Sequence, residues 1–362
     1  MLRKGTFILM KTKIQDMTSG SPGRLIILFA IPLMLGNICQ QLYTMVDTMV
    51  VGQVAGVEAL AALGAVDFLM WVVTGISTGL TQGFSIQLSQ YYGAKDFENL
   101  RKSLAHSYRL TAFIAIGVFI LSQSFASLVL TGLHTPSNII GMSLLYLRII
   151  FCGIPATAAY NMFASALRAM GNSKTPLTAM IIASVLNVSL DILFVAGFGW
   201  GVAGAAIATV IAQSFSAVYC FLILRRIDIV HLTRADFMPA SGMNARLMKL
   251  GIPVVFQNII IGVGGLVVQY VINGYGFLFV AGFTATNKLY GLLEMAAISY
   301  GYAIVTYVGQ NLGAGKIDRI RKGVRSSMLL SLLTSLIISA AMFLFGKNIL
   351  SLFIRSEEHT SE

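Results

Sequence analysis

Long apolar runs, separated by short polar connections, set the pattern of this chain. A helix needs about 20 mainly apolar residues to cross a hydrocarbon core roughly 30 Å thick. Runs of that length recur at 25–50, 58–88, 104–127, 138–162, 176–197, 202–224, 248–273, 278–308 and 325–345, which predicts nine spanning helices. A tenth is expected to start near Asn348. Arg225 to Met243 is the one sizeable polar linker. Prolines 32, 155 and 253 fall inside predicted spans. Each removes a backbone donor and permits a bend.

Composition supports a membrane solvent. Hydrophobic residues make up 56% of the chain and charged residues 11%. So few charges could not cover the surface of a soluble domain of this size. The formal charge of +11 would suggest a nucleic-acid partner if the charges were spread evenly. Instead they alternate with the spans. One set of connections carries Arg3, Lys4, Lys11, Lys13 and Arg24, then Lys95, Arg101, Lys102 and Arg109, then Arg168 and Lys174. It continues with Arg225, Arg226, Arg234, Arg246 and Lys249, and ends with Lys316, Arg319, Arg321, Lys322 and Arg325. The opposite connections carry only Lys347. By the positive-inside rule the N-terminus is cytoplasmic, and no nucleic-acid partner is needed. Cys39, Cys152 and Cys220 lie in apolar segments and read as small core residues. No cleavable signal peptide is evident.

The chain also repeats itself. Gln90, Gly93, Ala94, Arg101 and Lys102 align with Gln310, Gly313, Ala314, Arg321 and Lys322, and Pro32 and Asn37 align with Pro253 and Asn258. Six helices separate the copies, an even number, so the copies run in the same direction. The predicted fold is therefore an all-α membrane protein with two lobes in a parallel pseudo-repeat about the membrane normal, as in alternating-access carriers. The expected divisions are a cytoplasmic tail (1–23), a six-helix lobe (24–225), a linker (226–243) and a partial second lobe (244–354). Residues 355–362 read RSEEHTSE, the in-frame translation of a common sequencing-library adapter, and are expected to be foreign to the gene. Met10 is a plausible native start. On this reading the second lobe is incomplete and this exact chain is expected to be inactive.

Ionisable groups inside the hydrocarbon cost roughly 2.5–3.5 kcal/mol each on insertion scales and need a reason to be there. Asp47 and Asp191 lie late in the first and fifth helices, which both run outward, so both belong to the outer half of one lobe. Asn187 precedes Asp191 by four residues and shares its helix face. Gln40, Gln41, Tyr43 and Thr44 add polar groups around Asp47. Two acids with amide and hydroxyl neighbours are what a proton or cation site requires. Glu294 in the eighth helix is a second-lobe candidate. Asp67 aligns with Asn287 in the repeat and is read as a helix-packing position. Lys288 is expected near an outer end and Arg148 as a structural anchor. No phosphate-binding G-x-x-x-x-G-K-[ST] loop occurs, and histidines 106, 134, 231 and 359 form no zinc motif.

Three stretches now resemble the multidrug and toxic compound extrusion (MATE) family: FAIPLMLGNICQQLYTMVDTMVVGQVAG (29–56), ALRAMGNSKTPL (166–177) and the paired Gly-Ala loops at Gly93 and Gly313. The resemblance runs from about Met10 to Arg355. It implies twelve helices in two six-helix lobes, of which this chain lacks the last three. It also implies a monomeric cell-membrane antiporter without cofactor, expelling cationic amphiphilic small molecules in exchange for H+ or Na+. In one branch of the family the acids and asparagine map onto Asp47, Asp191 and Asn187, with Thr209 as a further member. Another branch places an acid in the seventh helix, where this chain has Gln257 and Asn258; these two join Glu294 as the second-lobe candidates. Two rivals are weighed. A flippase for a lipid-linked precursor would favour a cationic cavity for pyrophosphate, whereas the candidates here are mainly acidic. An integral membrane enzyme would need a catalytic cluster at a membrane face, and none is visible.

Overall fold

The computed structural model describes residues 14–133, 135–273 and 277–358, although side chains over most of 266–293 and beyond 344 are outside that description. The expectations for residues 1–13 and His134, and for the side chains of Lys288, Lys347 and the 355–362 tail, therefore lie outside the described residues. Among the described residues there is no strand, and eleven α-helices account for nearly all of the chain.

Helix α1 (Pro22–Ala55) starts with proline at its first position, where the missing N–H costs nothing, and runs through Pro32 to Gly56 at φ 90°. Helices α2 (Val57–Gly64) and α3 (Asp67–Gly93) form the second span with a short break. Helix α4 (Phe97–Gly132) is capped by Asp96, whose carboxylate accepts from the Asn99 N–H at 3.1 Å. The fourth span is bent by 46° between α5 (Ile140–Cys152) and α6 (Ile154–Ala169). Pro155 sits in the first turn of α6, so the bend falls where the proline removes a donor. The span ends at Ala169, beyond the expected 162. Helix α7 (Lys174–Asp191) continues into a π-helical turn (Ile192–Gly197), and α8 (Gly201–Leu224) closes the first lobe. Two short 3₁₀ turns in the linker lead to α9 (Met243–Asn273), α10 (Phe277–Gly313) and α11 (Ile317–Glu358).

Among the described residues seven helices are long and apolar enough to cross a membrane, or eight with the bent pair counted as one span. The remaining expected span, 278–308, falls on α10, where many side chains are undescribed. Phe113, Leu128, Ile260, Met328 and Phe343 are strongly exposed around the outside. A soluble protein would hide such a surface, and lipid covers it at no cost.

The two lobes meet along glycines. Gly75, Gly79 and Gly83 form a stripe four residues apart on α3 that faces α9. A Cβ on Gly83 would overlap the Gly251 backbone, and one on Gly79 would lie 2.9 Å from Val255 Cα. Without side chains in the way the helices come into backbone contact. Near the basic end α3 and α10 cross in the same way twice over. A Cβ on Gly93 would overlap the Gln310 carbonyl, and one on Gly313 the Gln90 carbonyl. These are repeat-equivalent pairs, so the contact itself has two-fold pseudo-symmetry. A second symmetric pair lies farther along. Asn37 on α1 donates to Ser299 Oγ on α10 at 3.1 Å, while Asn258 on α9 donates to the Gly75 carbonyl on α3 at 3.0 Å.

Candidate functional site

A cavity of about 750 Å³ opens between the lobes, walled chiefly by the first. Helix α1 presents one continuous face to it, including Pro32, Asn37, Gln40, Gln41, Tyr43, Thr44 and Asp47. The spacing follows helical i, i+3, i+4 periodicity, so one polar stripe runs the length of the wall. Opposite lie Trp71, Tyr146, Tyr160 and Tyr302. Aromatic faces beside carboxylates suit a flat organic cation.

Asp47 is 6% exposed, while Asp191 and Asn187 are fully buried behind it, where α1, α7 and α8 pack together. Asn187 donates to Thr209 Oγ1 at 3.4 Å, and Gln213 donates to the Tyr43 hydroxyl at the same distance. The four residues expected to form a cation site, Asp47, Asp191, Asn187 and Thr209, thus belong to one cluster. Asp47 and Asp191 are near enough for their charges to interact. The telling feature is what these oxygens do not accept. Asp47 Oδ1, Asn187 Oδ1, both Asp191 oxygens and Gln213 Oε1 are buried and have no hydrogen-bond donor. Burying an unsatisfied carboxylate costs several kcal/mol, and a cluster of acceptors of this kind has the chemistry to take up a proton or a hard cation.

Two features of the site could not be read from the sequence. The π-helical turn begins directly after Asp191. Such turns recur at functional sites because they re-aim the neighbouring side chains. Arg168 also lines the cavity, its guanidinium 4.7 Å from the centre of the Tyr302 ring on the other lobe. Asp67 corrects an expectation. It does not serve helix packing alone, because it is exposed and lines the cavity within electrostatic reach of Asp47. The second-lobe candidates are not brought together. Glu294 and Gln257 are exposed and outside the cavity wall, and Asn258 bridges to α3. Arg148 is exposed, and the bond it makes to Gln123, at 2.8 Å, is through its backbone carbonyl and does not involve the guanidinium. Among the described residues no cluster of three or more His, Cys, Asp or Glu could hold a metal.

Paired lobes with symmetric glycine contacts, apolar outer faces and a central cavity define a membrane transporter, not an enzyme. The MatE family profile matches residues 32–193 and 253–362, the two stretches starting on the repeat-equivalent Pro32 and Pro253, and the chain belongs to that family of multidrug efflux transporters. It is 31% identical over 342 residues to the probable multidrug resistance protein YpnP of Bacillus subtilis (strain 168), covering 94% of this chain and 77% of that one. It is 28% identical over 352 residues to the probable multidrug resistance protein YoeA of the same strain, covering 95% and 76%. Among solved structures it resembles an outward-facing multidrug resistance MATE family transporter of the MOP superfamily (TM-score 0.88, 23% identity, 94% and 76% covered). It also resembles a MOP superfamily transporter from Pyrococcus furiosus Vc1 (TM-score 0.89, 23% identity, 94% and 76% covered), for which reverse polarity of the binding pocket suggests a different function. These likenesses show the fold. Family members run on ion gradients, need no cofactor and move small molecules across a lipid bilayer.

Proposed function

We propose that this protein is a cell-membrane antiporter that exports organic cations in exchange for protons or sodium and works as a monomer, with its basic connections on the cytoplasmic side. The observation that carries the reading is the set of bare acceptor oxygens on Asp47, Asn187 and Asp191. With both acids ionised, the cavity attracts a cation to the aromatic-lined wall beside Asp47. A proton or Na+ arriving from outside binds the same oxygens. It cancels the charge and lets α1 shift against α7 and α8, so the cargo leaves. Only one ligand at a time satisfies the acids, and that exclusivity is what couples the two fluxes. Carboxylate, amide and hydroxyl oxygens suit Na+ as well as H+. The cavity wall carries Asp47 and Asp67 against Arg168, a balance that favours cationic cargo over a pyrophosphate-bearing lipid.

The test is ethidium efflux from drug-sensitive cells expressing the full-length parent gene, with and without a proton uncoupler and with sodium varied. Efflux that collapses with one ion gradient identifies the coupling ion. Absence of efflux despite membrane expression would overturn the reading and favour a lipid cargo.

A further inference from the structure

We infer that the segment ahead of the first helix, residues 15–20, is a strap that holds the lobes together at the basic end, and that Gln310 is the positioning residue through which it acts. Gln310 is fully buried on α10. Its side-chain oxygen accepts the Met17 N–H at 3.0 Å, and its side-chain nitrogen donates to the Ala169 carbonyl at 2.8 Å. One second-lobe amide therefore binds both the strap and the end of α6 in the first lobe.

The rest of the strap is gripped from both sides. The Gln15 N–H donates to the Gly171 carbonyl of the α6–α7 loop at 3.1 Å. Gly171 has φ 91°, and a Cβ there would overlap the Gln15 carbonyl, so the loop admits the strap only because it is glycine. From the second lobe, Asn311 donates to the Met17 carbonyl at 2.9 Å, Lys316 to the Thr18 carbonyl at 2.9 Å and Arg319 to the Gly20 carbonyl at 2.9 Å. The Met17 side chain is fully buried with Phe29 on α1 and Tyr307 on α10.

A matching arrangement exists on the other side. The linker that leads into α9 is held by α4 of the first lobe. Arg109 donates to the Phe237 carbonyl at 2.9 Å, His106 bonds the Met238 carbonyl at 3.1 Å, and Arg101 pairs with Asp236 at 3.8 Å. Each lobe's lead-in segment is thus clasped by the opposite lobe. Opening the basic end separates α6 from α10 and must break the Gln310 bridge, whereas opening the far end leaves it intact. The strap biases the molecule toward the state closed at the basic end.

The distance test does not depend on the antiport reading. Spin labels are placed at the exposed Lys174 and Lys322, with Cys39, Cys152 and Cys220 replaced by alanine, and pulsed electron resonance measures the distance between them in nanodiscs. Gln310→Glu keeps the acceptor for Met17 and loses the donor to Ala169. Gln15→Pro removes the strap's N–H to Gly171 and, with the side chain, the long donation to the Leu25 carbonyl at 3.4 Å. Each should raise the population of longer distances about fivefold, the factor that loss of one buried hydrogen bond gives. Under the antiport reading, efflux should fall in maximal rate while the half-saturating drug concentration also falls, because the drug-accepting state is more populated. Unchanged distance distributions in both variants, with unchanged melting, would overturn the strap. If one variant fails to fold, the other decides. Normal distance shifts without any wild-type efflux would overturn the antiport reading alone.

Discussion

Asp191 has both carboxylate oxygens buried and undonated, which makes its charge a liability for folding and an asset for binding a cation. Function and stability should therefore separate at this residue. In the full-length protein Asp191→Asn keeps the shape, removes the charge and should abolish drug export, as should Asp47→Asn. Thermal unfolding should be unchanged or shifted upward by a few degrees, because removing an unpaired buried charge is neutral to stabilising. Export that survives both substitutions would show that the site lies elsewhere. Asp16, in the strap, behaves in the opposite way. Burial raises its pKa, but hydrogen bonds from Thr18 and Ser19 and the charge of Lys316 outweigh this and hold it below 3.8. A depressed carboxylate stabilises the fold above its unfolded value and loses that contribution as pH falls through the folded one. Asp16→Asn should speed amide exchange across residues 16–20 at about pH 6, and the difference from wild type should vanish as pH falls below 3.8. Asp47 and Asp191 were legible in the sequence because a charge within an apolar run is costly wherever the chain folds. Gln310 was visible only as the repeat partner of Gln90, and its bridging role could not be read until two lobes close on it. Asp67 reads as a packing position because its repeat partner, Asn287, is polar too, and only the tertiary placement adds that it lines the cavity.

Helix positions in this chain follow from apolar run length, but helix contacts follow from where side chains are missing. Gly83 and Gly264 both lie within spanning helices, yet the first meets the Gly251 backbone and the second, among the described residues, meets nothing within 4 Å. The same substitution should therefore have opposite signs. Gly83→Ala forces α3 and α9 apart and should cost about 1–3 kcal/mol, as overpacking does. Gly264→Ala gains helix propensity and should be neutral or stabilising by up to about 1 kcal/mol. Melting curves of the two variants in detergent would check both, and equal losses would mean that the glycine stripe is not the lobe contact. Repeat pairing made Gly93 and Gly313 visible in the sequence as equivalent positions, though not the fact that each rests against the other's glutamine. Pro155 correctly announced a bend in the fourth span. The π-helical turn after Asp191 had no counterpart in the sequence, because one extra residue per turn leaves an apolar run looking like any other.

At the scale of the whole molecule, everything turns on which way the basic end points. Asp47 lies late in α1 and Asp191 ends α7, and both helices start from basic connections, so the acids sit toward the opposite end. If that end faces outward, an external proton or sodium ion has the short path to the acids, and the strap closes the side from which drug must enter. Reversed insertion would let the coupling ion load from the cytoplasm and would remove the basis for export. The charge asymmetry argues strongly for the first orientation, since Lys and Arg near helix ends are retained on the cytoplasmic side. Single cysteines at the exposed Arg226 and Ser137, in a background without Cys39, Cys152 and Cys220, place the two ends on opposite sides. In intact cells a membrane-impermeant maleimide should label Ser137→Cys, and it should label Arg226→Cys only after the membrane is opened. The reverse pattern would leave the cation cluster in place but turn the proposed transport direction around.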